Sequence, residues 1–123
     1  MPPKPDAHAL IIEDEMIIAL ELQDMLLQLG YASVDIAATP QDAVAQATRR
    51  RPDLITADVR IIGGTGIEAV KAITARLGPI PYLYVTGNLD MLRDEPTPAV
   101  VEKPISQREF ASACAAVSGE AAP

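Results

Sequence analysis

Five residues with chemically active side chains each stand at the end of an apolar run of the kind that forms a buried strand. Glu13 and Asp14 follow the first run, and Asp58 ends the third. Thr86 ends the fourth run, and Lys103 follows the fifth. In an open sheet of parallel strands, the carboxyl ends meet at one edge, where ligands bind. The sequence therefore predicts that three carboxylates, one hydroxyl and one ammonium converge at this edge.

This set of side chains suits the placing of a phosphoryl group next to a metal ion. Clustered carboxylates raise the free energy of ionising one another, and a divalent cation removes that penalty. Magnesium prefers a few carboxylate oxygens and accepts a phosphate oxygen, while Lys103 and Thr86 supply donors for the phosphoryl group. The chain has no serine and histidine pair for acyl transfer and no Gly-x-x-x-x-Gly-Lys loop. The nucleophile that remains is a carboxylate, although Asp58 could instead only cap the next helix.

Strands and helices alternate along the chain. Apolar runs predict strands at 9–12, 34–38, 54–58, 82–86 and 99–102. Helical spacing and capping residues predict helices that start near Ile18, Pro40, Gly66 and Gln107. The interval 87–98 leaves room for about two helical turns before its prolines, so a fourth helix there is predicted to be short and weak.

These elements predict an α/β fold with a five-stranded parallel sheet, right-handed crossovers and helices on both faces. The chain of 123 residues suits a single domain over residues 1–123, with an ordered core at about 8–118 and a loose tail at 1–7.

A net charge of −7 argues against a nucleic-acid partner. The lone His8 and the lone Cys114 argue against a zinc site and an internal disulfide. Without a signal peptide or an apolar run long enough to span a membrane, we expect a cytoplasmic location.

At this level of detail the sequence resembles the receiver domain of two-component response regulators, over roughly residues 9–118. Five separated signals carry the resemblance, and their order along the chain makes them specific together. They are Glu13-Asp14, Asp58, the glycine that opens the third helix (Gly66), Thr86 and Lys103-Pro104.

The resemblance implies a role for each of these positions. It makes Asp58 the phosphoacceptor, with Thr86 and Lys103 binding the phosphoryl group. It assigns magnesium binding to the side chains of Glu13, Asp14 and Asp58 and to the backbone carbonyl of Arg60. It also implies the strand order 2-1-3-4-5, which the family shares with flavodoxin-like folds, and a cis bond before Pro104.

The chain departs from the usual receiver pattern at three positions. Val100 stands where many receivers carry an aromatic switch residue, Gly87 follows Thr86 where a small residue such as alanine is usual, and Ile62 replaces a common proline. The stretch 84–87 and the reduced fourth helix are similar to a subset of alphaproteobacterial receivers that includes single-domain regulators of the general stress response. These departures bear on the usual switching mechanism and not on phosphorylation.

The resemblance implies a phosphoacceptor that assists its own phosphorylation and is not an enzyme with a diffusible substrate. Its partners would be a histidine kinase or phosphotransfer protein and a downstream protein bound at the face of the fourth helix, the fifth strand and the fifth helix. One alternative is a pseudo-receiver that binds partners without phosphorylation. Another is a small magnesium-dependent phosphotransfer enzyme or a flavodoxin-like cofactor domain. Arg60, where a second Asp would be expected, and the scarcity of aromatic residues argue against that last pair.

Overall fold

The computed structural model describes residues 3–96 and 99–119. The strands of the main sheet are β1 (His8–Ile12), β2 (Ser33–Ala37), β3 (Leu54–Ala57), β4 (Tyr82–Thr86) and β5 (Val100–Glu102). The α-helices are α1 (Met16–Gln28), α2 (Pro40–Arg49), α3 (Gly66–Leu77) and α4 (Gln107–Ser118). The predicted strands differ from these bounds by one residue at most.

The five strands form one parallel sheet in the order β2-β1-β3-β4-β5. The central strands β1 and β3 are buried along their whole length, which explains why they read as continuous apolar runs. Because every strand runs in the same direction, the residues that follow β1, β3 and β5 reach the same edge. The strand order that the resemblance implied is confirmed.

Apolar side chains cover both faces of the sheet. Leu10 and Ile12 of β1 point into a core shared with α2 and α3, while Ala9 and Ile11 point into a second core shared with α1 and α4. The alternation follows from the two-residue period of a strand. Cys114 is buried in the core beneath α4, as expected for a small apolar residue.

Three of the four helices begin at the side-chain caps that the sequence predicts. Thr39, Thr65 and Ser106 each accept a hydrogen bond from the amide of the residue three positions later. Such a cap satisfies one of the amides left without a partner at a helix start. Pro40 occupies the first position of α2, where its fixed backbone angle favours the helix.

The prediction of a fourth α-helix within 87–98 is wrong for the described part of that interval. It holds a single 3₁₀ turn, Leu89–Leu92, so residues 3–96 and 99–119 contain four α-helices where a complete (βα)₅ pattern would have five. A four-residue segment has too few backbone hydrogen bonds to sustain a helix by itself. Residues 97 and 98 lie outside the described residues.

The loop after β3 and the start of the chain are more ordered than predicted. Arg60–Ile61 and Gly64–Thr65 pair as a short antiparallel hairpin. The predicted loose tail is wrong for Ala7, which is buried and whose carbonyl accepts a hydrogen bond from the Ala32 amide at 2.8 Å. Within residues 3–96 and 99–119, none of the helices has both the length and the apolar character that crossing a membrane requires.

Candidate functional site

Backbone hydrogen bonds extend the sheet past its strand ends and fix the predicted site residues. The Asp58 amide donates to the Ile12 carbonyl at 2.9 Å, and the Lys103 amide donates to the Thr86 carbonyl at 3.1 Å. The Glu13 amide donates to the Ala37 carbonyl at 2.9 Å. Hydrogen bonds to neighbouring strands therefore hold the backbone of these three residues in position.

Lys103 joins two of the predicted carboxylates. Its Nζ lies 2.8 Å from Glu13 Oε1 and 2.8 Å from Asp58 Oδ2. All three side chains are largely withdrawn from water, with exposures of 17% for Lys103, 1% for Glu13 and 7% for Asp58. The bond between Lys103 and Pro104 is cis, as the resemblance implied. One ammonium is thus shared by two buried acids.

Burial and hydrogen bonding act in opposite directions on these groups. Burial raises the pKa of Glu13 to about 7, although the hydrogen bonds from Lys103 and the Glu15 amide act to lower it. Burial also acts to lower the pKa of Lys103, but its bonds to Asp58 and Glu13 outweigh this and the pKa lies above its ordinary value. The difference arises because Glu13 is more deeply buried than Lys103.

The three predicted carboxylates form a ready set of oxygen ligands. One oxygen from each of Glu13, Asp14 and Asp58 lies within 4.8 Å of the others. Asp58 Oδ1 is buried and has no hydrogen-bond partner among the described residues. A buried carboxylate oxygen without a partner carries a large desolvation penalty, which a cation would remove. The donor set fits a hard divalent cation such as magnesium.

A cleft of about 480 Å³ opens onto this cluster. Asp14, Asp58 and Lys103 line it from the strand ends, and Arg60 and Asn88 line it from the loops after β3 and β4. Glu13 and Thr86 are buried and do not line the cleft. The structure thus brings three predicted side chains, Asp14, Asp58 and Lys103, to the wall of one cleft, with the exposed Arg60 at its border.

Gly66 is needed at the start of α3 because the backbone of the site passes against it. A Cβ atom built at this position would lie 1.9 Å from the Asp58 carbonyl oxygen. The Gly66 amide also donates to the Val59 carbonyl at 2.9 Å. The glycine that carries part of the resemblance therefore sets the path of the chain just after Asp58.

Thr86 makes a contact that the sequence analysis missed. Its side chain is fully buried, and its Oγ1 accepts a hydrogen bond from the Asn88 amide at 3.0 Å. A threonine side chain can form a turn by accepting a hydrogen bond from the amide two residues later. The run Thr86-Gly87-Asn88 is compatible with such a turn, but this was not recognised from the sequence. The sharing of Lys103 between Glu13 and Asp58 was also missed, because no sequence pattern reports a contact across 90 residues.

The chain matches the model of one protein family and is similar to known members of it. The model of the response regulator receiver domain matches residues 9–115. The transcriptional regulatory protein PdtaR of Mycobacterium tuberculosis is 36% identical over 103 residues, which are 80% of this chain and 50% of PdtaR. The chain therefore spans about half the length of this relative.

Two solved structures are similar over nearly the whole chain. The solution structure of the receiver domain of PhyR from Erythrobacter litoralis has a TM-score of 0.85 and 29% identity, and the match covers 96% of this chain and 95% of that domain. The receiver domain of the sensor histidine kinase PA1611 from Pseudomonas aeruginosa has a TM-score of 0.82 and 25% identity, covering 94% of this chain and 99% of that one. That domain holds a magnesium ion in its active-site cleft. The family match, the parallel fold and the acidic cleft together place the chain in the response regulator receiver family.

Proposed function

We propose that this chain accepts a phosphoryl group on Asp58 from a histidine kinase or phosphotransfer protein, in a magnesium-dependent reaction, and signals through protein contacts. One observation carries the proposal. The Asp58 carboxylate lies in the cleft with Oδ2 held by Lys103 and with Oδ1 buried and free of hydrogen-bond partners among the described residues. The acid therefore has one oxygen oriented by a cation and a second oxygen that has no partner of its own among the described residues.

The proposed transfer moves one phosphoryl group between two proteins. An oxygen of Asp58 attacks the phosphorus of the donor's phosphohistidine, so an O–P bond forms and the N–P bond breaks. The donor's imidazole leaves with the electron pair and takes up a proton from solvent. Lys103 Nζ, already 2.8 Å from Asp58, can donate to an oxygen of the transferred group. Thr86 supplies a second donor if its hydroxyl turns towards the cleft.

Glu13, Asp14 and Asp58 would hold the magnesium ion, together with the backbone carbonyl of Arg60. When bound, the ion offsets the charge of the carboxylates and of the phosphoryl oxygens. The support for this ligand set is the close approach of the three carboxylates and the buried Asp58 Oδ1. The Arg60 side chain is exposed at the border of the cleft, from where it would influence how long the phosphoryl group survives.

Exposed apolar residues support an output through protein contacts. Leu89 of the 3₁₀ turn and Val100 of β5 are 41% and 36% exposed on the face that the turn, β5 and α4 form. On the other side of the cleft, Ile17 of α1 is 79% exposed, two residues after Glu15 at the cleft border. Apolar side chains grouped around a polar cleft are typical of protein interaction sites. The similarity to the PhyR receiver domain supports the finer resemblance to stress-response receivers.

Intact mass spectrometry tests the proposed function directly. The protein is incubated with magnesium and a small phosphodonor, beside the Asp58→Asn variant. We expect one phosphoryl group on the wild-type protein and none on the variant. No adduct from either the small donor or a kinase would indicate a pseudo-receiver, and turnover of a diffusible substrate would indicate an enzyme.

The metal assignment has its own test. Asp14→Ala removes one of the three charges, and unit charges about 4 Å apart interact by ~4 kcal/mol near a protein surface. Magnesium affinity should fall by about a hundredfold or more, and phosphorylation should fall with it while the far-ultraviolet circular dichroism stays as in the wild type. Uptake of phosphate by Asp14→Ala at the wild-type rate would overturn the assignment.

A further inference from the structure

The segment 87–96, which follows β4, is attached at its start to a residue of the candidate site. Thr86 Oγ1 accepts a hydrogen bond from the Asn88 amide at 3.0 Å. The 3₁₀ turn begins at the next residue, and the Met91 amide donates to the Asn88 carbonyl at 3.1 Å. The Thr86 hydroxyl therefore anchors the residue from which the turn is built.

The other end of the same segment is attached to Lys71 of α3 and to Tyr82 of β4. Lys71 Nζ lies 3.1 Å from Glu95 Oε1, and the Tyr82 hydroxyl lies 3.5 Å from the Pro96 carbonyl oxygen. Glu95 is linked back to the turn because its amide donates to the Leu92 carbonyl at 3.0 Å. Hydrogen bonds at its start, within it and at its end thus tie the segment to Thr86 and to Lys71.

Between these attachments the segment covers part of the core. Leu92 is only 7% exposed and belongs to the apolar core on the α2 and α3 face, together with Tyr84. Met91 packs against the same core, while Leu89, on the outside of the turn, is 41% exposed. A single 3₁₀ turn is not stable alone, so its position depends on Leu92 and on the two attachments.

We propose that residues 87–96 form a strap that two latches close over the core, the Thr86 hydroxyl at one end and the Lys71–Glu95 ion pair at the other. The latches hold one cooperative unit, so loosening either end opens the whole strap and uncovers Leu92 and Met91. The Thr86–Asn88 bond gives the cleft a direct connection to the backbone of the strap. That the strap responds to a phosphoryl group rests on the proposed function, but its two latches do not.

Amide hydrogen exchange, followed residue by residue by NMR without any phosphodonor, tests the strap. Thr86→Val removes the acceptor while keeping the shape of the side chain, and Thr86→Ser keeps the hydroxyl as its control. Lys71→Met removes the ion pair, and Arg76→Met removes another exposed charge of α3 as the matched control. We measure the amides from Asn88 to Glu95, at both ends of the strap.

Thr86→Val should raise exchange about threefold to tenfold along the whole strap, the range expected for one lost hydrogen bond. Lys71→Met should raise it about twofold to fivefold, because exposed ion pairs are weaker. The factors should multiply in the double variant, while Thr86→Ser and Arg76→Met stay close to the wild type.

The proposal would be overturned if exchange rose only at the mutated end. It would also be overturned if Thr86→Val and Thr86→Ser raised exchange equally. The mass measurement on Asp58 stands apart from this result. If the latches behave as expected and Asp58 takes no phosphoryl group, only the proposed function is lost. If Asp58 is phosphorylated and the latch variants exchange like the wild type, only the strap is lost.

Discussion

The two ends of the sheet both bury charged and polar side chains, but they satisfy them differently. At the amino end, both ring nitrogens of His8 have partners, Ser33 Oγ at 2.8 Å and Asp35 Oδ2 at 3.0 Å. The expectation from the sequence that no serine and histidine form a pair is therefore wrong, although this pair lies at the opposite end of the sheet from the cleft. Asp53 there accepts a hydrogen bond from the His8 amide and pairs with Lys4. At the carboxyl end, Asp58 Oδ1 is buried without a partner among the described residues.

The difference shows how a structural polar cluster can be told from a functional one in the same fold. A buried polar group with all its partners fixes the strands that it joins, as His8 joins β1 to β2. A buried carboxylate without a partner destabilises the fold until something binds it, so its presence indicates a binding site. The polar groups at the amino end therefore stabilise the protein, whereas the carboxyl end has the features of a binding site.

Gly66→Ala should produce the largest change, because it forces the backbone of the carboxyl end to move. The new Cβ would lie 1.9 Å from the Asp58 carbonyl oxygen. We expect the free energy of unfolding to fall by about 3 kcal/mol, and phosphorylation of Asp58 to slow. Gly87→Ala is the matched control, because a Cβ there meets nothing within 4 Å. Equal urea denaturation midpoints for the two variants would contradict this account of Gly66.

The second largest effect should be a dependence of stability on pH that comes from Glu13 at the carboxyl end. Glu13 has a pKa of about 7 in the folded protein against 4.5 ordinarily, so the folded state binds its proton more tightly. The stability that the protonated acid contributes is complete below pH 4.5 and is lost as the pH rises through 7. Without metal, the loss should be on the order of 3 kcal/mol.

Urea denaturation between pH 4.5 and pH 8 in the presence of a chelator measures this dependence. Glu13→Gln should remove most of it, while Glu21→Gln on the exposed face of α1 should leave it in place. Magnesium should restore stability above pH 7, because the cation takes the place of the proton. A profile that is the same in the wild type and in Glu13→Gln would show that Glu13 is not its source.

His8→Ala tests the amino end. The substitution deletes a buried ring and both of its hydrogen bonds, so unfolding should become easier by about 2 kcal/mol. Phosphorylation of Asp58 by a small donor should keep its wild-type rate under conditions where the variant is folded. A folded His8→Ala protein that is phosphorylated much more slowly would mean that the two ends are coupled, and the comparison would fail.

Thr56→Val should have the smallest effect, and it asks whether a missing partner alone indicates function. The Thr56 hydroxyl is buried in β3 and has no partner among the described residues, but it does not line the cleft. Replacing it with a methyl group of similar shape should stabilise the fold by about 1 kcal/mol and leave phosphorylation unchanged. A loss of phosphorylation in this variant would show that the region that senses Asp58 extends into the strand.

The sequence by itself was sufficient for most of the strands and helices and for predicting which strand ends meet at one edge of the sheet. Strands such as β3 are apolar throughout because both faces are covered, and α2 starts with Thr39 and Pro40 because a cap and a fixed backbone angle are local requirements. Since parallel strands bring their carboxyl ends together, residues that end separate runs could be assigned to one edge before any coordinate was known. These predictions rest on strand burial and helix capping, which are local, and on the common edge of parallel strands, which is a rule of topology.

Tertiary structure alone decided which groups are paired and which are not. The sharing of Lys103 between Glu13 and Asp58 joins positions 90 and 45 residues apart. The replacement of the fourth helix by a 3₁₀ turn depends on Leu92 entering a core built mostly by other elements. Burial, which raises the pKa of Glu13, and the missing partner of Asp58 Oδ1 also exist only once distant segments have packed. Sequence patterns report what neighbours along the chain require, whereas these properties arise from neighbours in space.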